Sequence, residues 1–250
     1  MKRIYHSFLI AFSMYSKLPM PYAKWTEDNK RYVMCFFPLI GVVIGGAFLI
    51  WDSISGRLGT GVALRSAVYV MLPLLITGGI HMDGFMDTTD ALASCQPMER
   101  KLEILKDSHV GAFAVMGCAG YMLLQFGIYT ELMGDKVFIL AIGFILSRAF
   151  SALAVVSFPM AKNSGLAAMF QNEADKKVGK ICVYLIMICC ILGVILIEPF
   201  TGGIATLVSF LTFIYYYLMS KRMFGGITGD LAGFFVQICE LVTGLAIVLV

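Results

Sequence analysis

Apolar residues fill this chain in long blocks, and polar residues gather in the short stretches between them. Blocks of 17 to 24 residues run from Val33 to Trp51, Val62 to Ile80, Val110 to Met133, Val137 to Phe158, Ile181 to Ile197, Gly203 to Met219 and Leu231 to Val250. A helix rises about 1.5 Å per residue, so each block is long enough to cross about 30 Å of hydrocarbon. The pattern predicts seven transmembrane helices. Ahead of them, Ile4 to Tyr15 mixes Ile, Phe, Leu and Met with Ser and is too short to cross. It predicts an interfacial helix, ended by Leu18-Pro19-Met20-Pro21. The expected fold is therefore all-α: a polytopic transmembrane helical bundle of about seven spans plus an amino-terminal interfacial helix. It forms one integral-membrane domain over residues 1–250, with 1–32 as an interfacial segment and 81–109 as an acidic loop.

Composition agrees with this class. The chain is 59% hydrophobic and 14% charged, with a mean hydropathy of +0.85, whereas soluble domains average about 25% charged residues. The lipid bilayer is the expected surroundings. A formal net charge of +3 is too small to suggest a nucleic-acid partner. The seven cysteines include no C-x-x-C pair and read as small apolar core thiols. Met1 to Met14 starts basic but lacks a long apolar stretch and a small-residue cleavage site, so no cleavable signal is expected.

Charge then orients the bundle. Lys2, Arg3, Lys17, Lys24, Lys30, Arg31, Arg100, Lys101, Lys106, Lys162, Lys176, Lys177, Lys180, Lys221 and Arg222 fall in segments on one side of the predicted spans, and only Arg57, Arg65 and Lys136 on the other. Fifteen against three is a strong positive-inside bias. It predicts a cytoplasmic amino terminus, a cytoplasmic acidic segment and an outward carboxy terminus.

Chemistry concentrates in G-G-I-H-M-D-G-F-M-D-T-T-D, residues 78–90, inside a stretch from Arg65 to Arg100 that has no intervening Lys or Arg. On a helix, Asp83, Asp87 and Asp90 share one face, where like charges repel by about 0.2–0.5 kcal/mol per pair. Hard oxygen ligands without a basic partner suit Mg²⁺ or Mn²⁺, and such a metal suits a phosphate-bearing substrate. The alternative is a solvated helix face. Nearby, His81 is either an ordinary interfacial histidine or a functional one, and Asp107 with Ser108 is either a helix cap or a site element. The late run K-R-M-F-G-G-I-T-G-D puts Lys221, Arg222, Gly225, Gly226, Thr228 and Gly229 before a helix start, where backbone N–H groups favour phosphate. It lacks the Walker spacing and also reads as a flexible turn. Asp230 offers a fourth carboxylate. Arg148 and Glu240 lie inside spans, where an unpaired charge costs about 2.5–3.5 kcal/mol. They form an ion pair with each other, or Arg148 meets a substrate anion.

The H-x-D-G-x-x-D-x-x-D core, the later K-D-S-H-V-G and the G-G-I-T-G-D-L-A-G run with Glu240 resemble the cobalamin synthase, or adenosylcobinamide-GDP ribazoletransferase, family. The resemblance extends to L-P-M-P at Leu18–Pro21, to F-P-L-I-G at Phe37–Gly41 and to the span layout, and so covers essentially the whole chain. The D-G-x-x-D piece is also similar to the CDP-alcohol phosphotransferase motif, but that family's D-x-x-D-G-x-x-A-R order is absent. What the resemblance implies is a Mg²⁺-dependent phosphotransferase. Its partners would be adenosylcobinamide-GDP and α-ribazole or its 5′-phosphate, joined with release of GMP. In that scheme Asp83 and Asp87 ligate the metal, Asp90 is a third ligand or the base, and His81 is the rival base. Asp107 and Ser108 orient the nucleotide or a metal-bound water. Gly225–Asp230 with Lys221 and Arg222 takes the GMP part, and Arg148 and Glu240 fall on the substrate side. A secondary transporter is the competing class, since buried charges and glycine-interrupted helices occur there too. The clustering of carboxylates away from the midplane argues against it.

Overall fold

The computed structural model describes residues 2–250, and among them the chain forms helices α1 (Lys2–Tyr15), α2 (Glu27–Lys30), α3 (Val33–Leu58), α4 (Val62–Thr77), α5 (Ile80–Ala93), α6 (Met98–Ile104), α7 (Ala112–Thr130), α8 (Asp135–Ser157), α9 (Leu166–Glu173), α10 (Lys176–Ile197), α11 (Pro199–Phe224) and α12 (Gly229–Leu249). The chain is a multi-pass membrane protein. Helices α3, α7, α8, α10, α11 and α12 are each long and apolar enough to cross a bilayer, and α4 with α5 makes a seventh candidate when the bent pair is counted together.

Helix α8 is the hub, packed on α3, α10, α11 and α12, and nearly every residue from Ser147 to Val156 is buried. Its tight seam with α3 follows from Gly41 and Gly45, four residues apart on one face. A Cβ at Gly45 would sit 2.6 Å from the Ala141 carbonyl oxygen, and one at Gly41 would collide with the backbone at Phe144. Small residues at this spacing let membrane helices approach closely, where dispersion replaces the missing hydrophobic drive. Helix α10 is peripheral. Ile181, Leu185, Ile188, Leu192 and Leu196 stay exposed along it, as suits a face that meets lipid.

The acidic segment 81–109 is largely helical, as the aspartate spacing implied, with α5 over Ile80–Ala93 and α6 over Met98–Ile104. Gly78 (φ 66°) and Gly79 (φ 79°) adopt the left-handed backbone that glycine tolerates best, and the chain bends 97° between α4 and α5. The 14 residues of α5 carry three aspartates, and past the bend α5 packs chiefly on α12 and α7.

Hydrogen bonds gather the polar segments at this one end. Lys17 N–H donates to the Ile76 carbonyl at 2.7 Å, and Asp175 N–H to the Arg31 carbonyl at 3.1 Å. Met160 and Ile227 form an isolated parallel bridge, which braces the turn before α12 against the segment after α8. Lys30 pairs with Glu173 at 2.7 Å and Arg31 with Asp175 at 3.1 Å, pinning α9 over the same end. At the opposite end Arg65 lies 3.8 Å from Asp52 and donates to the Leu132 carbonyl.

Candidate active site

Helix α5 crosses α12 at two glycines. A Cβ on Gly84 would lie 2.6 Å from the Asp230 carbonyl oxygen, and one on Gly233 would lie 3.1 Å from that of His81. With both side chains reduced to hydrogen the backbones meet, and Phe85 stacks on Phe234 beside the crossing (centroids 5.7 Å apart, planes at 10°). The glycine after Asp83 thus brings that residue beside Asp230, which opens α12. Thr228 caps the same helix by accepting from Leu231 N–H at 3.2 Å.

Two cavities open on this junction, and Asp230 lines both. The first, about 340 Å³, is walled by Lys106, Lys162, Ser164, Thr228, Gly229 and Asp230, with apolar flanks from α6 and α9. The second, about 260 Å³, is bounded by Met14, Tyr15, Met34, Phe37, His81 and Asp83, with Ser151, Val155, Gly229 and Asp230 closing it. Leu166 and Ala167 of α9 line both cavities. One chamber therefore has two cations beside the Asp230 carboxylate, the other has aromatic side chains with the Asp83 and Asp230 carboxylates, and the amino terminus of α12 borders both.

His81 is buried at 4% exposure, and neither ring nitrogen has a hydrogen-bond partner among the described residues. Its ring is parallel to Tyr15 (6.3 Å, 2°) and lies 5.6 Å from Phe37. Asp87, one turn beyond Asp83, is partly buried and lines neither cavity. Burial first, then the charges of Asp83, Asp230 and Asp90, raise its carboxyl from 3.8 to about 6. The four aspartates thus form one field of negative charge. Among the described residues no group of three or more His, Cys, Asp or Glu side chains is close enough to hold a metal ion by itself.

Asp90 is held differently. Its Oδ2 accepts from Gly111 N–H at 2.6 Å and its Oδ1 from Ala114 N–H at 2.8 Å, so both oxygens cap α7. Each oxygen accepts a single bond and keeps a second lone pair. Asp107 and Ser108 sit outside both cavities. Asp107 is exposed and accepts from His109 N–H at 3.0 Å, a turn contact that, with the His109 ring, holds its carboxyl below the usual range. Arg148 and Glu240 pair at 2.6 Å, both almost wholly buried. Arg148 also donates to the Phe144 carbonyl at 2.9 Å, Ser147 donates to Glu240 at 3.0 Å, and neither member of the pair lines a cavity. The ion-pair alternative is the one that forms, which removes Arg148 as an anion contact in this arrangement.

Lys221 and Arg222 also lie away from the cavities. They occupy the last turn of α11, where Lys221 Nζ is 5.8 Å from the Tyr217 ring centroid and Arg222 faces a surface groove with Leu92 and Leu218. Gly225 (φ 77°) reverses the chain after that turn, and Gly226 abuts the Pro159 carbonyl, so this pair serves the turn while Thr228 and Gly229 reach the cavity. The cations that do line it are Lys106 and Lys162. In sequence they were only loop charges; the turn signal S-G at Ser164-Gly165 was the one hint that Lys162 sits in an ordered loop.

The fold and site define a multi-pass membrane protein with a carboxylate-rich, two-chambered pocket at one end of its bundle. Residues 7–248 match the family model described as Cobalamin-5-phosphate synthase, and the chain belongs to that family. It is 47% identical to a protein of Lachnoclostridium phytofermentans named Adenosylcobinamide-GDP ribazoletransferase, across 98% of this chain and 94% of the relative. Proteins of the same name from Clostridium botulinum strain Alaska E43 (33% identical, 97% and 96% covered) and Treponema denticola (32%, 94% and 94%) are similar along nearly their whole lengths. No solved structure matches this chain.

Proposed function

We propose that this protein catalyses the last assembly step of cobalamin synthesis, transferring the adenosylcobinamide phosphoryl group from adenosylcobinamide-GDP to α-ribazole or its 5′-phosphate and releasing GMP. The observation that carries the reading is the sharing of Asp230 by a cationic cavity and an aromatic one. Two substrates bound on either side of that residue would meet beside Asp83, Asp230 and His81.

The reaction forms a phosphate ester to the ribazole hydroxyl and breaks the anhydride bond to GMP. Positioning and charge neutralisation dominate such transfers. Lys106 and Lys162 hold the guanylyl phosphates, and the free N–H groups at the start of α12 add to them. His81, buried and unpartnered, accepts the hydroxyl proton. Asp90 acts indirectly by fixing the start of α7.

Mg²⁺ suits the donor set. This ion binds through one or two carboxylates plus substrate phosphates and water and seldom needs a full protein cage, so Asp83 and Asp230, with Asp87 behind them, fit it without a three-residue cluster. Bound there, Mg²⁺ would neutralise the diphosphate and the departing GMP. The positive-charge bias supports a reading in which this end of the bundle faces the cytoplasm from the inner membrane, where guanosine nucleotides occur. Neither cavity has room for a corrin ring, so the corrinoid would lie along the interface with only its nucleotide arm inside. The test is GMP release by purified protein in detergent. Release should require α-ribazole, adenosylcobinamide-GDP and Mg²⁺ together, and no release with all three would sink the proposal.

A further inference from the structure

The aromatic cavity has a construction that phosphoryl transfer alone does not require. We infer that it is the acceptor-base subsite, which takes the flat aromatic base of the ribazole riboside against the wall formed by Tyr15, Met34 and Phe37 and leaves the ribose hydroxyl at His81 and Asp83. The inference rests on the ribazole-transfer reading and deepens it by assigning each substrate a chamber.

Three observations converge on this assignment. Its walls include Met14, Tyr15, Met34, Phe37 and Val155, apolar or aromatic groups that favour ring faces and carry no charge to pair with phosphate. Its volume of about 260 Å³ lies just below the ~300–1,000 Å³ of drug-sized ligand sites, which suits a bicyclic base with its sugar and excludes a corrinoid. Its lining joins those apolar groups to a small polar set: His81 and Asp83 of α5, Asp230 of α12 and the Ser151 hydroxyl, and the buried imidazole offers two unpartnered nitrogens. A ligand with one apolar flat half and one hydroxyl-bearing half matches that lining. The neighbouring cavity, with Lys106 and Lys162, is the better match for the anionic nucleotide.

The assignment gives the amino-terminal helix a task. Met14 and Tyr15 end α1, and Ser16 N–H donates to the Phe12 carbonyl at 3.0 Å, so the chain there is ordered and Tyr15 is fixed against Phe37 (4.4 Å between centroids). Base selectivity is then set by α1 and α3, which carry none of the four site aspartates.

Steady-state kinetics of Tyr15→Ala, Tyr15→Phe and Met34→Ala test it. Tyr15→Ala and Met34→Ala should raise KM for α-ribazole about 10-fold or more while KM for adenosylcobinamide-GDP stays within about 2-fold, and Tyr15→Phe should retain wild-type values, a tenfold change being about 1.4 kcal/mol. A KM rise confined to the corrinoid substrate, or unchanged kinetics in both alanine variants, overturns the assignment. Should wild-type protein release no GMP at all, the transfer reading fails. Calorimetry with benzimidazole alone then still decides the cavity: binding abolished by the cavity-filling Val155→Phe in folded protein supports it, and equal binding by both proteins overturns it.

Discussion

Asp90 and Gly111 are joined by a 2.6 Å hydrogen bond from the Gly111 amide to Asp90 Oδ2, and Ala114 N–H completes the pair at 2.8 Å on Oδ1. A carboxylate on one helix thereby caps the amino terminus of another, where it also meets the positive end of the helix dipole. An amide can accept on only one of its two atoms. Asp90→Asn is expected to lose about 1–2 kcal/mol of stability and to lower turnover without changing the Mg²⁺ concentration for half-maximal rate. A rightward shift of that concentration would instead make Asp90 a ligand.

Asp83 is the counter-case, since it lines a cavity with Asp230. Asp83→Asn and Asp230→Asn should each cut GMP release by on the order of 100-fold, as expected when a group that stabilises developing charge is lost, and should raise the Mg²⁺ requirement. Melting curves with and without Mg²⁺ separate this from misfolding: the variants should melt near the wild-type temperature in EDTA and gain nothing from the metal.

Asp87 supplies a pH dependence. Its carboxyl is raised from 3.8 to about 6, so between those values the metal-free folded protein holds a proton that the unfolded chain has released. Stability therefore falls as pH rises through that window. Mg²⁺ binding needs the ionised form, so stabilisation by Mg²⁺ should be small at pH 5 and grow above pH 6. Differential scanning across pH should show this in wild type and a flattened profile in Asp87→Asn.

Lys162 and Lys106 face the same cavity from different segments. If they hold the nucleotide phosphates, each alanine variant should raise KM for adenosylcobinamide-GDP about 10-fold or more, since a hydrogen bond to a charged group contributes about 1.5–3 kcal/mol. Lys221→Ala and Arg222→Ala, which lie outside the cavity, should leave KM near wild type. Equal effects from all four would point to a general field with no defined phosphate site.

Arg148 and Glu240 should behave as a structural unit. Losing one partner of a buried pair leaves a charge without compensation, at a cost of about 3–5 kcal/mol. Arg148→Met and Glu240→Leu are each expected to unfold at much lower temperature in detergent, and the double variant should recover a large part of the loss. Additive losses would contradict the pairing.

Much of the fold was legible because membrane insertion writes a coarse, one-dimensional code. The block starting at Val33 became α3, extended to Leu58, and the block from Val137 to Phe158 became α8 within two residues at its start. Span ends past the apolar block were missed where amphiphilic turns continue the helix, as at Lys176–Lys180 in α10 and Lys221–Phe224 in α11. The aspartate spacing correctly implied a helical face, yet it did not show that Asp90 turns toward α7. That partner lies 21 to 24 residues on, and no local pattern encodes it.

The sequence by itself determined the class of protein, the number of apolar crossings, the segregation of positive charge to one set of connections and the family motif with its aspartates. These are properties of composition and spacing, and they act before any two helices meet. Only the tertiary structure decided which of those residues share a cavity. Gly84 and Gly233 let α5 and α12 touch, which set Asp83 beside Asp230 and exposed His81 to the aromatic chamber. The reversal at Gly225 carried Lys221 and Arg222 away, while folding of the 158–175 segment brought Lys162 in. Close backbone approach and chain reversal depend on partners distant in sequence, and that is the physical reason the division of labour among the charges could be read only from the folded molecule.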